Sequence, residues 1–254
     1  MKDIKKFYEN HINFSGRSII EYYISPGIKC KFDLIKRVLG QQKFSHGLDL
    51  GCSGNSILSF LKEIKNKYYY DIALRPLLQH KLLDQGDSIC GDLISLPFRN
   101  NSFDFISALD VLEHIKNDNY AISEISRVIK KNGIVVVTVP HRKELYTRQD
   151  KIIGHFRRYE INELIEQFSS YNLKNISVFG IYGQIMKISD IQAKDPKGVE
   201  ENITNLRKRY IKSPFFRSIW DIIVQTGAWL MKFEALHQKY EKTMNMAFIF
   251  KKEE

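Results

Sequence analysis

Apolar and polar positions alternate along the middle of the chain in a regular order. Short apolar runs at Gly47–Leu50, Lys67–Tyr70, Ser88–Cys90, Phe103–Ala108 and Ile134–Val139 read as strands. Between them, apolar residues at helical spacing predict helices over Asn55–Ile64, Pro76–Leu83 and Asn117–Lys130. Strands separated by helices predict a parallel sheet with helices on both faces. Upstream, Lys2–Asn10 and Gly27–Leu39 read as helices, the second through Ile28, Phe32, Ile35, Val38 and Leu39. Downstream come a helix at Ile161–Phe168 and strands at Leu173–Phe179 and Met246–Lys251. Roughly sixty residues of helical character separate those two strands, far more than the 2–5 residues of a hairpin loop.

The predicted class is α/β, a Rossmann-like, seven-stranded and mostly parallel sheet. Its parts are an N-terminal helical cap over 1–43, a core over 44–182, a helical insertion over 183–243 and a last core strand over 244–254. At the first strand the apolar run stops at Asp49 and turns through Gly51-Cys-Ser-Gly54 toward the next helix. Gly51 and Gly54 leave that loop without side chains, so backbone N–H groups can approach a ligand, and Ser53 and Asn55 are candidate caps. Parallel sheets bind ligands beyond the carboxyl ends of their strands. Asp49, Asp71 and Asp92 stand at or just past three such ends, and spacing alone predicts that they converge on one crevice.

Charge is distributed unevenly. Phe44 to Pro140 carries ten Lys/Arg against eleven Asp/Glu, whereas Met1 to Lys43 has nine against four and Leu206 to Lys252 ten against three. The basic flanks imply an anionic partner or a solvated lysine-rich surface. Cys30, Cys52 and Cys90 show neither disulfide pairing nor metal-ligand spacing, so reduced thiols, no metal and a cytoplasmic setting are expected. The first residues lack the apolar core of a signal peptide. No apolar run reaches the roughly 18 residues of a membrane span.

Several segments agree in order and spacing with one known family. They are Leu48-Asp-Leu-Gly-Cys-Ser-Gly54, Asp71 twenty residues after Gly51, Gly91-Asp92-Leu93 with Leu96-Pro97-Phe98, Ser102-Phe-Asp-Phe-Ile106, Leu109-Asp-Val-Leu-Glu-His114 and Glu124-Ile-Ser-Arg-Val-Ile-Lys130. In these the chain resembles the class I S-adenosylmethionine-dependent methyltransferases, in their broad small-molecule branch. The resemblance implies a terminal antiparallel strand pair and S-adenosyl-L-methionine as cofactor. It places Asp49, Gly51, Cys52, Ser53 and Gly54 against the methionine portion, Asp71 and Ile72 at the ribose, Asp92 and Leu93 at adenine, and Leu109 near the sulfonium. Asn55 stands where many relatives have a third glycine; asparagine tolerates left-handed backbone, which keeps the loop plausible.

Methyl transfer needs a base only where the acceptor must lose a proton. His114, and His155 in Gly154-His-Phe-Arg-Arg-Tyr159, are the candidates, and both favour an oxygen acceptor. His141, Arg157, Arg158 and Tyr159 are expected beside the acceptor, the arginines to pair with a carboxylate or phosphate. Ser107-Ala-Leu-Asp110 replaces the Asn/Asp-Pro-Pro-aromatic run of enzymes that methylate base or amide nitrogens. The insertion joins Arg207-Lys-Arg209 to a Trp-bearing segment, Pro214 to Met231. That segment reads first as a lid over a small or lipid-like acceptor, and then as a peripheral membrane contact or dimer face. RNA is the weaker alternative partner, since no separate RNA-binding module is present; a non-catalytic binding module is the other rival.

Overall fold

The computed structural model describes residues 2–10, 16–83, 86–183 and 196–253. Seven strands form one sheet: β1 (Phe44–Leu50), β2 (Ile64–Asp71), β3 (Asp87–Cys90), β4 (Phe103–Leu109), β5 (Ile129–Pro140), β6 (Leu173–Tyr182) and β7 (Asn245–Lys252). Their order is β3-β2-β1-β4-β5-β7-β6. β1 to β5 pair in parallel, and β7 is antiparallel to both β5 and β6. The described helices are α1 (Lys2–Asn10), α2 (Glu21–Ile24), α3 (Pro26–Leu39), α4 (Leu74–Leu82), α5 (Asp118–Val128), α6 (Arg148–Ile152), α7 (Ile161–Ser169), α8 (Pro196–Lys212) and α9 (Pro214–His237).

Each face of the sheet carries its own core. On one, Phe32, Ile35 and Leu39 of α3 and Leu77 of α4 pack on Tyr69, Phe105, Val136 and Ile249. On the other, Ala121, Ile122 and Ile125 of α5 and Leu164 and Phe168 of α7 meet Leu48, Ile106, Val135 and Phe250. The Phe168 ring stacks on Phe250 with centroids 4.1 Å apart. The α/β sandwich with its terminal antiparallel pair is as the sequence led us to expect.

One predicted helix is absent. Asn55–Ile64 forms only a 3-10 turn over Ile57–Phe60, and β2 begins at Ile64, paired with Phe44. A seven-residue β1 covers about 23 Å, and the chain must travel back along it before β2 can start. Nine residues, 55 to 63, wound as an α-helix would cover only about 14 Å. A tighter turn followed by extended chain spans the gap, while Ile57, Leu58 and Leu61 still bury against α3. Their helical spacing was a packing signal without enough chain to realise a helix.

The basic N-terminal segment is tied to the core. Both Glu9 carboxylate oxygens accept from the first turn of α4, from Leu74 N at 2.5 Å and Arg75 N at 3.2 Å, a cap supplied from a distant part of the chain. In the insertion, residues 184–195 lie outside the described residues. α9 lies against α3 and β6, burying a narrow stripe of Val224, Ala228, Met231 and Ala235 on Cys30 and Leu34. Small residues on that stripe permit close helix approach. A leucine at the wholly buried Ala228 would force the two helices apart. Ala228→Leu is expected to cost about 1–3 kcal/mol, read as a lowered urea midpoint at unchanged slope.

Candidate active site

The carboxyl ends of β1, β2 and β4 open onto a cavity of about 280 Å³. Of the sequence-predicted cofactor residues, Gly51, Ser53, Asp71, Ile72, Asp92, Leu93 and Leu109 line it. Gly51 has φ +63°, and a Cβ there would stand 2.5 Å from the Val111 side chain, so backbone geometry and space both require glycine. A Cβ on Gly54 would fall 1.9 Å from the Arg17 carbonyl oxygen, because the backbone at Arg17 and Ser18 packs directly on the loop. Ser53 also adopts positive φ, and its N–H donates to Asp71 Oδ2 at 2.9 Å. The Ala73 N–H donates to Asp71 Oδ1 at 2.9 Å. Asp71 thus clamps the β1 loop to the end of β2, and burial nevertheless pushes its carboxyl above the usual range.

The third carboxylate of the expected trio does not join them. Asp49 is 3% exposed and lies beneath the cavity rather than in its lining, accepting from Ser56 Oγ at 2.5 Å and Ser107 Oγ at 2.6 Å. Its position inside β1 turns the side chain into the sheet's face, whereas Asp71 sits at a strand terminus. Burial pushes Asp49 up to about 6, against the two serine hydroxyls that favour its charge. Cys52 is buried in the core beside Ile57 and Leu58, and Gly54 is covered by the Arg17 backbone.

Beyond the expected site residues, Tyr8, Arg17, Asp110 and Val111 also line the cavity. Tyr8 of α1 packs edge-on against the His114 ring, centroids 5.6 Å apart, and Arg17 follows it over the loop. Asp110, immediately after β4, has φ +55° and accepts from Thr138 Oγ1 and Asn245 Nδ2, both at 2.8 Å. Burial would raise Asp110, but the Lys31 ammonium, hydrogen-bonded to its Oδ2, holds it well below the usual carboxylate range. Val111 lines the cavity and packs directly against Gly51. A lysine placed by α3 and a carboxylate placed by β4 leave no pairing signal in sequence; the positive φ at an aspartate offers only a weak one.

His114 lines the cavity, with Nδ1 3.3 Å from the Gly154 carbonyl. Burial pushes its imidazole down to about 3, far from the range suited to proton abstraction near neutrality. His155 stands behind it, ring centroids 4.6 Å apart, with Nδ1 2.9 Å from Asp150 Oδ1. The four residues expected beside the acceptor lie outside the lining. Arg158 pairs with Asp150 at 3.0 Å, Arg157 with Asp118 at 2.6 Å, and the Tyr159 hydroxyl donates to Asp118 at 2.7 Å. His141 is buried with Nδ1 2.9 Å from the Tyr159 carbonyl. Their hydrogen-bonding groups are spent on holding the loop between β5 and α7, which ordinary ion pairs accomplish without a ligand. No residue of α8 or α9 lines the cavity among the described residues.

A sheet of this strand order, parallel from β1 to β5, carries a glycine loop and strand-end aspartates around one cavity, the place where such sheets take a ligand. The sequence model of the family described as methyltransferase domain matches residues 48–137. An uncharacterized protein of Methanocaldococcus jannaschii is 29% identical over 198 residues, covering 74% of this chain and 84% of its own. Among solved structures, phosphoethanolamine N-methyltransferase 2 of Haemonchus contortus in complex with S-adenosyl-L-methionine superposes with a TM-score of 0.63 at 15% identity. That match covers 98% of this chain and 60% of the other. The [4+2]-cyclase SpnF superposes at 0.57 with 20% identity, covering 88% and 80% of the two chains. Residues 48–137 match the methyltransferase-domain family, the chain has the class I methyltransferase fold, and S-adenosyl-L-methionine is the cofactor that this family implies. The cavity suits that group: Asp71 and Asp92 offer acceptors for hydroxyl and amine donors, and side-chain-free Gly51 exposes backbone beside them.

Asp49 makes the site's acidity measurable. Its carboxyl is raised on folding, so between about pH 4 and pH 6 the native chain holds a proton that the unfolded chain has lost, and stability falls as pH rises through that window. Asp49→Asn removes the charge and keeps a group that can bond the two serines. Urea unfolding should find the variant more stable than the parent by about 2 kcal/mol above pH 6, with the gap closing toward pH 4.

Proposed function

We propose that this chain transfers the methyl group of S-adenosylmethionine to a small or lipid-like acceptor, at oxygen in preference to nitrogen or carbon. The observation that carries this reading is the shared cavity, in which Asp71 and Asp92 line one part and Asp110, Val111 and His114 another. When bound, the cofactor supplies an electrophilic methyl on a sulfonium. The chain's task is to bind it, orient the acceptor in line and keep water out. Asp71, with its two oxygens oriented by backbone N–H groups, retains lone pairs for the ribose hydroxyls. Asp92 and Leu93 take the adenine. Tyr8 and the Arg17 segment close the cavity from above. Because the fold also serves a [4+2]-cyclase, cofactor binding and methyl transfer need separate assays.

The surface of α9 supports the lipid-like class. Phe215, Ile219, Ile222, Trp229, Phe233 and Leu236 recur at i, i+4, i+7 spacing and are all exposed, opposite the buried stripe that meets α3. Exposed Lys208, Arg209 and Lys212 of α8, with Arg217, stand at the amino-terminal end of this face. An apolar stripe beside basic residues fits an anionic bilayer surface, which would bring the chain to an acceptor dissolved there. No described helix is long and apolar enough to cross a membrane.

Asp71→Ala is expected to weaken S-adenosylhomocysteine binding at least tenfold by calorimetry, about 1.4 kcal/mol or more; unchanged affinity would remove the ribose role. The surface reading is checked by co-sedimentation with phosphatidylglycerol and phosphatidylcholine vesicles over a salt series. Retention should be confined to the anionic vesicles, decline with salt and drop in Ile222→Glu/Trp229→Glu. Salt-sensitive retention by RNA, with none on vesicles, would move the acceptor class to nucleic acid.

A further inference from the structure

Glu113 is wholly buried, and neither of its carboxylate oxygens has a hydrogen-bond partner. Burying a carboxylate without compensation costs several kcal/mol, so an orphan of this kind marks a missing partner. The groups aimed at it are two imidazoles. His155 Nε2 is 3.9 Å from Glu113 Oε1, beyond hydrogen-bond length, and one ligand atom each from Glu113, His114 and His155 fall within 4.8 Å of one another.

Both rings are oriented from behind. His155 Nδ1 faces the Asp150 carboxylate at 2.9 Å, and His114 Nδ1 faces the Gly154 carbonyl at 3.3 Å. Those partners only accept, so each Nδ1 donates to the group behind it. A carboxylate or carbonyl behind a histidine is the arrangement that orients metal-ligating imidazoles. The backbone holds the two segments together: Phe156 N–H donates to the Glu113 carbonyl, and His155 N–H to the Asp150 carbonyl, both at 2.8 Å.

From this geometry we propose that Glu113, His114 and His155 bind one divalent transition-metal ion, with zinc as its probe. Tetrahedral bonds of about 2.0–2.2 Å to nitrogen and oxygen place ligand atoms about 3.4 Å apart, so the three, which lie within 4.8 Å of one another, must draw together by up to about 1.4 Å on binding. Two imidazoles and one carboxylate leave a position for water or a substrate atom, as three-ligand catalytic sites do. His114 also lines the cavity, so the ion borders the space assigned to the acceptor. There it would polarise an acceptor hydroxyl and favour loss of its proton. That last role rests on the methyltransferase reading; the binding site does not.

The chelator-stripped chain, titrated with zinc chloride in a calorimeter, should take up one equivalent, and its melting temperature should rise. Cobalt(II) should give the visible absorption of a nitrogen- and oxygen-ligated ion. Glu113→Gln and His155→Asn should each weaken zinc binding by about a hundredfold or more, beyond the loss expected from an outer-shell change. Glu113→Gln replaces a buried carboxyl that has no hydrogen-bond partner with an amide of the same shape, so without metal it should melt no lower than the parent, which separates lost ligation from lost folding. S-adenosylhomocysteine affinity should be retained in both variants, so that a failure here is distinct from a failure of the cofactor assignment. Absence of a zinc equivalent in the parent, or undiminished affinity in folded Glu113→Gln, would overturn the proposal.

Discussion

The parallel registration of β1 between β2 and β4 governs this molecule. Leu50 pairs with both Tyr70 and Ala108, so three strands end at one level and their following loops face one cavity. Side chains in a strand alternate between faces, so a one-residue slip would turn Leu48 and Leu50 out of one core and drive Asp49 into it. Two separately built cores, one on each face, oppose such a slip. The glycine loop, the Asp71 clamp and the turn at Asp110 all inherit their positions from that register.

Carboxyl groups at this edge behave differently because their surroundings differ. Asp110 faces the Lys31 ammonium and is held well down, whereas Asp49 meets only hydroxyls and rises to about 6. Burial pushes Glu113, with no bonding partner for its oxygens, well above its ordinary value. The α3 helix therefore contributes twice, through the apolar face that covers the sheet and through Lys31, which stabilises a charge beside the cavity. Arg17 lines the same space, and its backbone lies where any side chain on residue 54 would clash. Cap and core are thus coupled through van der Waals exclusion as well as charge.

The insertion shows how hydrophobic pattern underdetermines location. α9 has two apolar stripes on opposite sides, a narrow one with Ala228 and Ala235 among its residues turned to α3 and a broad one of large residues turned outward. Periodicity registers that the helix is apolar without telling which stripe meets the protein. The small residues allow the close approach that packing between α3 and β6 demands, and the larger side chains are left for another surface.

Composition and spacing alone determined the alternation of strands and helices, the parallel core, and the glycine loop with its strand-end aspartates, because these are local signals of fixed period; the antiparallel end came only with the family resemblance. The helix after Gly54 failed because propensity does not count the distance the chain must cover. Asp49 was drawn to the crevice because spacing gives a strand's end but not the direction of a side chain within it. Tyr8 and Arg17 reach the cavity, Lys31 meets Asp110, and Glu113 faces His155 forty-two positions away only once the chain is folded. Arg157, Arg158 and Tyr159 are taken up by carboxylates from other elements in the same way. Such pairings depend on interatomic distance, which sequence separation does not encode, and so the tertiary structure alone decided them.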